Sequence, residues 1–453
     1  MDYSDFIASR QQSPGTSGFE PNWMPDWLFP FQVSLVEWAI RIGRGAIFAD
    51  CGLGKTPMAL VWAENVIRHT GKPVLFVTPL AVGPQIVREA EKFGVSAVRS
   101  RDGVCNAGAV VYVTNYEQLH KFDADMFAGV VCDESSAIKN FKSARKETVV
   151  EFMRTRPYRL LCTATAAPND FWELGTSSEA LGLLGFRDMI TTFFKQDTAK
   201  DHLGWGRTVY RFRGHAQQPF WRWAASWSRS IRRPSDHGFD DGDFILPPLN
   251  EREYVVETKK ARAGRLFATP AQSLPEQREE RRNSIGERCD MAAKLVHNHD
   301  GPSVIWCELN DEGRRLTKEI DGAVEVRGSM KDEQKEELLT AFGSGEIKRL
   351  VTKPKIGCWG LNWQHCSNVV VFPSHSFEQY YQSVRRCWRF GQKSPVNVHV
   401  VVNEGEIGVL KSIKRKSEQA EQMFDSLCLH MSDAMHMTSS DYFPEEEDVP
   451  TWL

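Results

Sequence analysis

The chain has 453 residues and a formal net charge of −3, long enough for two or three domains and too nearly neutral for overall charge to point to a nucleic-acid or membrane partner. With 41% hydrophobic and 25% charged residues it has the composition of a folded globular protein, and no apolar run approaches the roughly 20 residues of a membrane span. The cysteines are scattered without a C-x-x-C pair, and His297, His299 and His365 lack ligand spacing, so no disulfide framework or zinc cage is indicated and a cytoplasmic setting is expected.

Residues 1–24 open with early acidic residues and a Ser/Gly/Pro stretch, without the basic-then-apolar order of a secretory signal, and read as a flexible leader. From residue 25 short apolar runs at 46–49, 74–78, 110–114, 130–132 and 159–162 alternate with amphipathic stretches, the pattern of a parallel sheet covered on both faces. A second series of runs lies at 304–307, 323–326, 349–352, 369–372 and 396–402. Two α/β domains are therefore expected, over 25–248 and 249–430. An Arg/Trp-rich insertion at about 183–245 belongs to the first, and Leu246-Pro247-Pro248 reads as the turn or linker between them. Residues 431–453, acidic and aromatic, read as a tail.

Residues 49–56 read ADCGLGKT, a phosphate-binding loop between a predicted strand and the helical run PMALVWAENVI. Gly52 and Gly54, flanking Leu53, let backbone amides close around phosphate at a helix N-terminus; Lys55 reaches the β- and γ-phosphates and Thr56 ligates Mg2+. A merely structural Gly-rich turn is the competing reading, and the strand-loop-helix context weighs against it. Residues 130–134, VVCDE, form an apolar strand ending in two carboxylates, Asp133 to hold the metal through water and Glu134 to polarise the attacking water. Such an ending is common in structural roles; its pairing with Lys55 makes it a site. Residues 382–392, QSVRRCWRFGQ, set Arg386 and Arg389 at i and i+3 on one predicted helix face. Alone they would be a solvated basic face. A single phosphate loop needs cations from a second lobe, which makes both arginine-finger candidates.

In order, these motifs resemble those of the Swi/Snf-type ATPases of helicase superfamily two, over residues 28–402. The resemblance implies an α/β fold of two tandem RecA-like domains with parallel sheets and a cleft between them. Gln32, in FPFQ, stands at the family's adenine-reading position. Thr78 and Pro79 in VTPL and Thr114 in VTNYEQL stand in nucleic-acid-contacting motifs. DESSAIKN is similar to the family's D-E-A-H-x-I-K-N, and LLCTATAAPND resembles its coupling motif, with Thr163 and Thr165 in the coupling role. GCWGLNW is similar to G-G-x-G-x-N-L, adding Gly360 and Asn362; Gln382 opens the arginine motif, similar to Q-A-x-x-R-x-x-R-x-G-Q-x-x-P-V. Ser135 and Ser136 replace the family's Ala-His, and Trp388 replaces its usual His. With little beyond the motor, the chain looks like the compact versions carried by bacteria and bacteriophages.

The resemblance implies an ATP- and Mg2+-dependent translocase on DNA, duplex in preference, with phosphate contacts dominating and weak sequence preference. Segment 207–233 interleaves Arg211 and Arg213 with Trp221, Trp223 and Trp227, which either stack on bases or fill a helical core. The charged run at 259–288 reads as a solvated helix. Three alternatives stay open: an RNA-unwinding helicase, an ATP-gated binding or loading module, and a motor subunit whose protein partner supplies recognition.

Overall fold

The computed structural model describes residues 18–167, 170–200, 206–257, 274–357 and 362–434. Two compact units emerge, one comprising Met1–Asp240 and Ala420–Leu453, the other Asp241–Gln419. No helix among the described residues is long and apolar enough to cross a membrane.

The first unit is built on β1 (Arg44–Ala49), β2 (Val74–Thr78), β3 (Ala97–Arg99), β4 (Val111–Asn115), β5 (Gly129–Asp133), β6 (Tyr158–Thr163) and, after a hairpin of β7 (Phe194–Lys200) and β8 (Gly206–Phe212), β9 (Ser228–Ile231). The order across the sheet is β3-β4-β2-β5-β6-β1-β9, every pairing parallel. The central strands are buried on both faces, as their continuous apolar runs require. Because all strands point one way, their carboxyl ends share one edge, where ligands of open α/β sheets bind. Register places Asp133 beside Cys162 and Phe48 beside Thr163, so β6 separates the phosphate-loop strand from the acidic one.

The packed chain begins at Gly18, inside the expected leader. From Gly18 the chain packs: the Asn65 side chain accepts from the Asn22 and Trp23 amides (2.8 and 2.9 Å) and donates to the Trp23 carbonyl, while Phe19 stacks on His69 at 3.9 Å. Residues 1–17, and the expected tail beyond 434, lie outside the described residues.

The expected insertion is mostly structural. Its helix Gln217–Trp227 buries Phe220, Trp221 and Trp227 in the first unit's core, beside Phe171 and Phe194. Met423, Phe424 and Leu427 of the last helix, Ile407–Ala434, enter the same core. This stretch, expected in the second domain, groups with the first.

The second unit holds β10 (Leu249–Val256), β11 (Ser303–Trp306), β12 (Ala323–Val326), β13 (Arg349–Thr352), β14 (Asn368–Val371) and β15 (Val396–Asn403), in the order β10-β15-β14-β11-β13-β12, again all parallel. The expected linker Leu246-Pro247-Pro248 immediately precedes β10. Arg288, expected on a solvated helix, is instead fully buried. Its guanidinium donates to Glu312 and to the Arg281 carbonyl (both 2.6 Å) and to Ser284 (3.1 Å), with Glu406 at 3.8 Å. Arg281 pairs with Glu406 at 2.6 Å. Two buried carboxylates matched by two guanidiniums make burial of these charges tolerable.

Candidate nucleotide site

The phosphate loop is shaped by glycine. Gly52 and Gly54 have φ of 93° and 79°, a left-handed backbone that other residues rarely adopt, and the helix Lys55–Thr70 starts directly afterwards. A Cβ on Gly54 would come within 2.3 Å of the Gln32 amide nitrogen. The Lys55 ammonium rests on the Ala49 and Asp50 carbonyls at 2.9 and 3.3 Å. Thr56 follows in the first turn, half-buried.

Gln32, expected at an adenine-reading position, makes two contacts within the protein. Its Nε2 donates to the Leu53 carbonyl (2.9 Å), and its Oε1 accepts from the Phe29 amide (3.1 Å), capping its own helix, Pro30–Ile42. One side chain therefore braces the phosphate loop and starts a helix.

At the end of β5, Asp133 and Glu134 are 6% and 5% exposed. Burial and the Glu134 charge raise the Asp133 carboxyl to about 7, opposed by Lys55 and the Thr78 hydroxyl. The reach of Lys55's field to Asp133 puts loop and acid in one site. Glu134 has φ 50° and ψ 50°, and its buried Oε2 has no hydrogen-bond partner in the protein; neither have the hydroxyls of Ser135, Ser136 and Thr165. Buried polar atoms left open at such a place are suited to water and ligand. Thr56 and Asp133 offer oxygen donors only, a set that fits a hard cation such as Mg2+.

Two expected nucleic-acid contacts prove to be inside. Thr78 is fully buried and donates to Asp133 Oδ2 (3.2 Å), and Thr114 is 4% exposed. Tyr116, in the same expected nucleic-acid-contacting motif as Thr114, donates its buried hydroxyl to the Asp133 carbonyl at 2.7 Å. Both Thr78 and Tyr116 therefore hold Asp133 in place, Thr78 from the end of β2 and Tyr116 from just after β4. Thr163 Oγ1 accepts from the Thr165 amide at 3.1 Å, shaping the turn after β6. Trp221, 2% exposed among Phe171 and Phe220, is core and leaves the expected contacts for a physical reason: its ring has no free face. Arg211 and Arg213 are exposed, Arg211 within 3.3 Å of Asp197, and Pro79 is half-buried.

In the second unit, the arginines follow a helix rather than share its face. The helix Phe377–Arg385 ends with Arg386 as its C-cap, and Arg389 lies in the ensuing turn, closed by Gly391 at φ 88°. Arg386, 3% exposed, donates to the Gln382 side chain at 2.5 Å, and its carbonyl accepts from the Trp363 amide at 2.9 Å. Gln392 pins the turn by donating to the Cys366 and Cys387 carbonyls. Asn362 is exposed; Gly360 falls outside the described residues.

The parallel sheets and the glycine-shaped phosphate loop are of the RecA-like kind. Residues 287–391 match the helicase conserved C-terminal domain. A protein of Acyrthosiphon pisum secondary endosymbiont phage 1 is 23% identical over 456 residues, covering 87% of this chain and 96% of the phage protein. The SWI/SNF-related matrix-associated actin-dependent regulator of chromatin subfamily A-like protein 1 of Xenopus tropicalis is 28% identical over 166 residues, 34% of this chain and 17% of that protein. In fold, S. cerevisiae Dbp5 bound to RNA and ADP BeF3 is similar at TM-score 0.56 and 12% identity, over 88% of this chain and 98% of that one. Residues 287–391 thus carry a helicase C-terminal domain, and about a third of the chain is similar in sequence to a SWI/SNF-related protein.

Proposed function

We propose that the chain is a nucleic-acid-stimulated ATPase that converts hydrolysis into movement along DNA, duplex in preference. The observation that carries the reading is the pairing, in one site, of a glycine-shaped phosphate loop and Lys55 with a desolvated Asp133-Glu134 pair. ATP with Mg2+ supplies the phosphoryl group and neutralises its charge, and Thr56 and Asp133 would hold the metal. Lys55 exchanges its loop carbonyls for phosphate oxygens. Glu134, its Oε2 open, orients the attacking water and takes its proton. Arg386 and Arg389 complete the charge stabilisation. Thr163, Thr165, Asn362, Gly360 and Gln382 link that event to motion of the lobes.

The preference for DNA rests on the arginine motif and the I-K-N after Asp-Glu; the fold, shared with an RNA-bound protein, does not choose. The test is ATP hydrolysis without nucleic acid and with duplex DNA, single-stranded DNA or RNA, at low and moderate salt. Duplex-stimulated turnover that Lys55→Ala and Glu134→Gln each reduce by about a hundredfold or more supports the proposal. Stimulation by RNA alone reassigns the substrate, and no hydrolysis under any condition points to a gated binding module or to a motor that needs its protein partner.

A further inference from the structure

The residue by which this chain departs from the arginine motif has a definite contact. Trp388, where the family has a usual His, donates its indole N–H to the Pro247 carbonyl at 2.6 Å. Two residues on, Phe390 stacks on Phe244, with ring centroids 4.6 Å apart and planes 28° apart. Both partners belong to the segment by which the chain enters the second unit, whose boundary with the first falls at Asp240 and Asp241. The Pro248 ring restricts Pro247 to an extended backbone, which sets the direction of its carbonyl in advance. Immediately beyond, the Pro248 carbonyl accepts from the Val396 amide at 3.0 Å, and β10 runs along β15 from the Leu249–Val396 pair. On the other side of the indole, the Arg385 guanidinium lies 4.3 Å from its centroid.

Arg386 and Arg389 lie on either side of this contact. Within the motif, Arg386 is held by Gln382 and the turn by Gln392, partners only a few residues away in sequence. Trp388 and Phe390 add an attachment some 140 residues distant, to the stretch by which the chain enters the second unit. We propose that Trp388 and Phe390 latch the interdomain linker to the arginine motif, making Trp388 a positioning residue that sets where Arg386 and Arg389 stand. The inference rests on the reading of those arginines as the groups that complete the ATP site.

The experiment is steady-state ATP hydrolysis by the full chain with saturating duplex DNA, for Trp388→Phe, Arg389→Ala and the double variant, with melting temperatures alongside. Trp388→Phe keeps an aromatic ring and removes the donor together with part of the indole's area. Expected is a fall in kcat of about tenfold with ATP KM changed less than about twofold, and no further loss when the substitution is added to Arg389→Ala. Phe390→Leu, which loosens the same latch by its second contact, is expected to act in the same direction, and it replaces Trp388→Phe should that variant fail to fold. Unchanged kcat in the folded latch variant, or a loss that multiplies independently with that of Arg389→Ala, would overturn the proposal. Full activity in Arg389→Ala alone would instead remove the arginine reading, and this inference with it.

Discussion

Glu134 is the one non-glycine residue with positive φ among those described, and it is also the residue on which hydrolysis is proposed to turn. A left-handed backbone costs roughly 1–3 kcal/mol and persists only where the surroundings impose it. Here the imposition is visible one residue earlier, in the clamp that Thr78 and Tyr116 place on Asp133. Asp133 itself carries a stability cost. Its carboxyl titrates at about 7 in the folded protein, against about 4 in an unfolded chain. Because the folded value is the higher one, its protonated form favours folding: that contribution is complete below about pH 4 and is lost as pH rises through about 7. Asp133→Asn is therefore expected to melt at a higher temperature than wild type near pH 8, with the gap closing below about pH 4. Equal melting temperatures near pH 8, measured without nucleotide, would show that the carboxylate is not held at a cost.

Among the elements, those legible in the sequence and those missed differ in position. Every strand of the two expected series formed; all but the edge strand β12 are central, covered on both faces, and so need unbroken apolar runs such as AIFA, VLFVT and VVCD. The unread β3, β9 and β10 are all sheet edges. Edge strands tolerate polar residues, and SRSI or LNEREYVV carries no apolar run to read. The site divides the same way. Loop glycines, Lys55 and the acidic pair are legible because their chemistry requires those residue types, whereas the hydroxyls that support Asp133 depend on which strands become neighbours. The β7–β8 hairpin, also unread, presents Lys195 opposite Arg211. The exposed Arg211–Asp197 pair adds little to stability, so the side chain is available to a phosphate. Arg211→Ala is expected to weaken the apparent affinity for DNA, read from ATPase titrations, by about two- to fivefold at low salt, equally for all sequences, and to lower the salt slope by about 1. A change in sequence preference, or none in affinity, would put the track elsewhere.

For the whole molecule, two compact units imply that unfolding need not be a single transition. The buried Arg288-Glu312 pair belongs wholly to the second. Arg288→Met leaves Glu312 charged and buried, and it is expected to lower the stability of one calorimetric transition by about 3–5 kcal/mol while the other stays in place; adding Glu312→Leu should restore much of the loss. A uniform shift of all transitions would mean that the units melt as one.

The helix Ile407–Ala434 gives the first unit a history as well as a shape. Phe424 and Leu427 fill the same core as Ala46 and Phe48, nearly four hundred residues earlier in the chain. On a ribosome, where domains generally fold as they emerge, the first unit has its phosphate loop, acidic strand and β9 long before its last apolar side chains are made, and the whole second unit is synthesised in between. The nascent first unit must therefore wait with an incomplete core, a period in which its apolar surface is open to chaperones or to misassembly, and it closes only when the end of the chain arrives.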